Sequence, residues 1–128
     1  MPVEGAVRGS FVSRREVTFT KEQIAAYAEA SGDRNPIHLD DEFARTVGLP
    51  GIIAHGMLQM GLMATVAADA AGGPDKLRRM SCRFAGIVVP GDTVTFTAGQ
   101  AGEGKLELRA VNGRNEPVLT KSVAEYLP

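Results

Sequence analysis

"GIIAHGMLQMGLMATVAADAAGG", Gly51 to Gly73, carries no Asp, Glu, Lys or Arg before Asp69. Met, Leu and Ala surround almost the whole circumference of the helix this stretch predicts, roughly Gly56 to Ala71, so that helix is enclosed on most sides. Gly72-Gly73-Pro74 stops it. A membrane span is the rival reading, since Gly51 to Ala68 lacks formal charge and approaches spanning length. His55, Gln59 and Thr65 interrupt the run, and Ala and Gly outnumber Leu and Ile, which favours a buried core helix and no membrane contact.

Downstream the period changes to two. From Leu77, Met80, Cys82 and Phe84 alternate with Ser81 and Arg83, as in a strand. Turn signals at Pro90-Gly91-Asp92, Gly102-Glu103-Gly104 and Asn112-Gly113 separate "TVTFTAG", "KLELRAV" and "PVLTKSVAEYL" into further strands, expected to run as an antiparallel meander. Upstream, "SFVSRREVTFT" reads as an extended lead-in. Thr20 with Gln23 is a capping-box signature; Ile24, Tyr27 and Ala28 share a face, and Ser31-Gly32 ends a helix of about Lys21 to Ala30. Asp40 or Asp41 caps a brief turn through Phe43 and Ala44, which Gly48 and Pro50 terminate. One enclosed helix followed by antiparallel strands predicts an α+β domain in which a curved sheet wraps a central helix.

The chain has 128 residues, enough for one core, and a single domain over residues 1–128 is expected. Fourteen basic against fifteen acidic residues leave a formal charge of −1, which argues against nucleic acid as a partner. Cys82 is the only cysteine, so no internal disulfide forms, and "MPVEGAVRGS" lacks a signal-peptide pattern; a cytoplasmic location is expected.

The residues with chemical potential lie just ahead of the helix, in "SGDRNPIHLDD". Pro36 keeps Asn35 extended, so Asp33 and His38 project from a loop. A carboxylate and an imidazole beside one water can take and return a proton near neutral pH. The plain alternative is a capped turn and a surface histidine. His55-Gly56 opens the long helix, whose free N–H groups would polarise a ligand carbonyl; equally, Gly56 could serve close packing and His55 could cap a neighbouring carbonyl.

"YAEASGDRNPIHLDDEFA" followed by "IIAHGML" closely resembles the MaoC-like dehydratases and R-specific enoyl-CoA hydratases, whose motif runs Gly-Asp-x-Asn-Pro-x-His. "RFAGIVVPGDTVTF" is similar to their post-helix strand and turn, so the resemblance covers about Tyr27 to Phe96. It implies the hotdog fold and reversible addition of water to trans-2-enoyl thioesters, giving (R)-3-hydroxyacyl thioesters, without a cofactor. It implies Asp33 and His38 as the catalytic dyad, Asn35 as a brace, and the Gly56 N–H as the oxyanion site for the thioester. Ala64 stands where some members place a serine near the acyl chain, and it is expected to line the acyl pocket. The carrier is coenzyme A or acyl carrier protein. A 3-hydroxyacyl-acyl-carrier-protein dehydratase, a non-catalytic acyl-thioester-binding subunit and a hotdog thioesterase are the alternatives.

Other features read as ordinary structure. Gly99 and Gly104-Lys105 imitate a phosphate loop, but Leu106 stands where a hydroxyl is needed. Cys82, Met57, Met60 and Met63 suit packing. Arg78, Arg79 and Arg83 suit a solvated strand face, with coenzyme A phosphates or an acyl carrier as a second reading. Asp33, His38 and His55 lack the local spacing of a zinc site, so no metal is expected. A single small sheet over a buried helix predicts a homodimer with one joined sheet.

Overall fold

A computed structural model describes residues 13–128. The part of the expected lead-in before Ser13 lies outside the described residues. The elements run β1 (Ser13–Thr18), α1 (Lys21–Ser31), a 3-10 turn (Pro36–His38), α2 (Asp41–Thr46), α3 (Gly56–Ala71), β2 (Leu77–Phe84), β3 (Thr93–Gln100), β4 (Lys105–Val111) and β5 (Pro117–Tyr126).

The helix boundaries follow local chemistry. The Thr20 hydroxyl accepts the Gln23 N–H at 3.0 Å and starts α1. Gly32, at φ 81°, ends it in a left-handed conformation that a side chain would strain. Asp40 takes the cap of α2 by accepting the N–H groups of Glu42 and Phe43, which leaves the neighbouring Asp41 for a different bond.

The five strands form one antiparallel sheet in the order β1-β3-β4-β5-β2. Only β3-β4-β5 is the expected meander. The strand following the long helix does not pair with β3, the next in sequence; β2 crosses to the far edge and pairs with β5, Met80 opposite Ala124. The reason is that β3 is already flanked by β1 and β4, with Phe96 opposite both Arg15 and Ala110. Gly102 to Gly104 forms the β3-β4 hairpin turn, as its sequence predicts.

Alternate residues of β3 (Val94, Phe96, Ala98) and β4 (Leu106, Leu108, Ala110) are buried. They meet Met63, Val66, Ala67 and Ala70 of α3 in one apolar cluster that also takes Phe19, Ile24 and Val88. Burying each Val, Leu, Ile, Phe or Met of this cluster contributes about 1.5–3 kcal/mol, which holds the body of α3 against the sheet. Among the described residues, no helix is long and apolar enough to cross a membrane.

Candidate active site

Asp33 and His38 lie on the short connection between α1 and α2, and the chain's own hydrogen bonds shape that connection. The Asp33 N–H donates to the Ser31 hydroxyl at 3.1 Å, and Asp33 Oδ1 accepts the Asn35 N–H at 3.3 Å. The Asn35 side-chain oxygen accepts the Ile37 N–H at 3.1 Å. Asn35 is therefore the brace of the loop, and its side-chain oxygen is committed to that task.

These bonds place Asp33 Oδ2 4.0 Å from His38 Nε2. The two do not bond directly; the gap is one that a molecule contacting both would bridge. His38 is buried while the Asp33 side chain is 55% exposed, so one partner is held rigidly and the other faces the opening. His38 Nδ1 lies 2.7 Å from the Ile53 carbonyl. A carbonyl only accepts, so Nδ1 carries a proton; in the neutral tautomer that this selects, Nε2 presents a lone pair toward Asp33.

His55 completes the cluster. It is 1% exposed, its ring stacks on His38 with centroids 3.7 Å apart and planes 21° apart, and its Nε2–H donates to the Asp33 carbonyl at 2.9 Å. Tyr27 of α1 meets the His55 ring in a T-shaped contact at 4.8 Å. The bond to the Asp33 carbonyl is the plain alternative the sequence offers for His55, a cap on a neighbouring carbonyl; nothing local signals that its ring lies against His38. The stack also argues against metal chemistry. The ligating atoms of Asp33, His38 and His55 lie within 4.8 Å of one another, but two nearly parallel rings cannot both aim their in-plane lone pairs at one ion.

His55 occupies the N-cap position of α3 and supplies no side-chain cap, so the first-turn N–H groups, Gly56 among them, are free of a capping side chain. Gly56 itself packs under Phe84: a Cβ there would come within 3.1–3.2 Å of the ring atoms. Phe84 is 52% exposed, whereas Met80 and Cys82 on the same face of β2 are half-buried. It sits at the end of edge strand β2, where the sheet no longer covers it, and spends its ring on the helix N-terminus.

The Gly-Asp-x-Asn-Pro-x-His loop, the enclosed helix and the sheet around it agree with a family profile described as "MaoC like domain", which matches residues 3–121. The chain belongs to this family. It is similar to the enoyl-CoA hydratase ChsH3 of Mycobacterium tuberculosis, 33% identical over 108 residues, which cover 83% of this chain and 37% of that protein. It is also similar to fatty acid synthase subunit beta of Aspergillus oryzae, 44% identical over 75 residues, 56% of this chain and 4% of that protein. The chain thus spans well under two thirds of the length of these curated relatives. Among solved structures, the (R)-hydratase from A. caviae involved in PHA biosynthesis superposes with a TM-score of 0.81 at 26% identity, covering 98% of this chain and all of that one. The fold is the hotdog fold.

Within this MaoC-like domain, Ala64 lines an apolar cavity of about 480 Å³ together with Tyr27, Met57, Leu58, Met60, Gly61, Leu62 and Met80. Tyr27 lines this cavity and packs on His55, which in turn stacks on His38. The adjacent hydroxyl of Thr65 is engaged elsewhere: it donates to the Leu62 carbonyl at 2.7 Å and accepts from Arg15 at 3.5 Å. Arg78, Arg79 and Arg83 are exposed, as their pattern predicts. Cys82 is half-buried, and desolvation pushes its thiol pKa up from 9.0, which makes it a poor nucleophile.

Proposed function

We propose that this chain catalyses the reversible addition of water to trans-2-enoyl thioesters, giving (R)-3-hydroxyacyl thioesters. The observation that carries the reading is the 4.0 Å separation of Asp33 Oδ2 and His38 Nε2, two atoms that both accept in the neutral form of the ring, whose single N–H, on Nδ1, faces the Ile53 carbonyl. A water between them donates to both and turns its own lone pair outward, toward C3 of the substrate. The proton that leaves the water passes to the pair and is returned at C2, so OH and H add across the double bond. The developing enolate oxygen takes the Gly56 N–H at the positive end of α3, and the acyl chain enters the Ala64 cavity. The (R) outcome rests on likeness to the (R)-hydratase from A. caviae.

The reverse reaction, dehydration of a 3-hydroxyacyl thioester on coenzyme A or an acyl carrier protein, uses the same geometry. We further propose that the chain acts as a homodimer. Edge strand β2 has a partner on one side only, and Leu39, Phe43, Met57, Phe84 and Ile87 are apolar side chains exposed on the monomer.

Crotonyl-CoA tests the function. Loss of the enoyl absorbance with formation of (R)-3-hydroxybutyryl-CoA, read with a dehydrogenase of known stereospecificity, is the expected result. Release of free thiol would make the chain a thioesterase, and no change at all would make it a binding subunit.

A further inference from the structure

We propose that His55 is the positioning residue of the Asp33/His38 pair, one rigid ring whose face sets His38 and whose edge sets Asp33. The inference rests on the hydratase reading above. Asp33 and His38 sit on a loop, and the 4.0 Å gap between them is useful only if it is held. The loop's internal bonds fix the backbone from Ser31 to His38 and the Ile53 carbonyl holds one nitrogen of the His38 ring, but none of them ties the Asp33 backbone to that ring. His55 does both: its ring lies 3.7 Å from that of His38, and its Nε2–H reaches the Asp33 carbonyl at 2.9 Å.

His55 can do this because it does not move with the loop. It is the last residue before the long helix, its predecessor Ala54 is pinned by its N–H to the Val88 carbonyl at 2.8 Å, and Tyr27 packs against its ring. The choice of residue is otherwise hard to explain. His55 Nδ1 is buried and has no hydrogen-bond partner among the described residues, a cost that phenylalanine would avoid while filling the same space. The imidazole returns that cost only through its bond to Asp33. In this scheme His55 exchanges no proton itself; it acts through the other two.

The test uses His55→Phe, which keeps the stack and loses the Asp33 bond, and His55→Gln, which keeps a donor and loses the ring face. Each is measured in the wild-type and Asp33→Asn backgrounds with crotonyl-CoA, alongside thermal unfolding. Displacing a reacting group by about 1 Å can cost about 10²-fold, so kcat is expected to fall by that order in folded variants while KM stays within about 3-fold. In the Asp33→Asn background the same substitutions should cost less than about 3-fold, because residues acting as a unit are non-additive. Wild-type kcat in folded His55→Phe and His55→Gln overturns the proposal, as do effects that multiply with Asp33→Asn. Ring-nitrogen NMR of the wild-type protein gives a readout independent of turnover and of variant folding. A proton on His55 Nε2 with Nδ1 bare is expected; a proton on Nδ1 alone removes the link to Asp33 and overturns the proposal. A protein with the expected tautomer but no hydration refutes the hydratase reading instead.

Discussion

His38 Nε2 faces Asp33 Oδ2 across 4.0 Å, while the other nitrogen of the same ring is locked to the Ile53 carbonyl. In the proposed mechanism the pair acts as two acceptors on one water. Asp33→Asn and His38→Gln keep size and hydrogen-bonding capacity but stop proton exchange. Each should lower crotonyl-CoA turnover by about 10²–10⁴-fold, and the double variant should be scarcely worse than either single one. Thermal unfolding on the same samples should change little. Near-wild-type turnover in both single variants would reduce the loop to a capped turn.

Ala64 lies in the cavity wall with Met60 and Gly61. Ala64→Leu adds bulk where the acyl chain is proposed to run. The ratio of long-chain to short-chain turnover should fall by about 10-fold or more, the scale on which apolar pockets discriminate size. An unchanged ratio takes Ala64 out of the acyl path.

Asp41 links α1, α2 and the segment leading to α3. Its Oδ2 accepts from Lys21 Nζ at 2.7 Å and its Oδ1 from the Ile52 N–H at 2.8 Å. The Lys21 hydrogen bond first, and the Ile52 N–H second, hold its carboxyl below the ordinary 3.8. A depressed carboxyl favours the folded state above its unfolded value, and that contribution is lost as pH falls through the folded value. Asp41→Asn should thus lower Tm at neutral pH, and the gap to wild type should close as pH drops below about 3.8. A gap that ignores pH would mean that the charge contributes nothing.

The proposed dimer has a direct readout. At micromolar concentration, light scattering should report twice the chain mass, and Phe84→Lys on the exposed end of β2 should shift the protein toward monomer. A wild-type monomer at that concentration would remove the joined sheet.

Much of this was legible from neighbours in sequence. The bounds of α3, Gly56–Ala71, match the expected helix, and the cap at Thr20 and the stop at Gly32 are where their side chains demand them. Such features depend on residues three or four apart, so local chemistry decides them. The loop motif named the family and its fold for the same reason: its spacing is itself local.

What only the tertiary structure decided involves partners that no local rule connects. The crossing of β2 to the edge beside β5 depends on which strands already flank β3. The tautomer of His38 depends on Ile53, 15 residues away, and the anchoring of Asp33 on His55, 22 residues away. By itself the sequence determined a central helix, four downstream strands and a loop bearing Asp33 and His38. Packing of α3 into the sheet then carried the helix's first residues under that loop. The physical reason is that period and capping act within a turn or a strand, whereas strand order and side-chain stacking are set by how whole elements bury their apolar faces against one another.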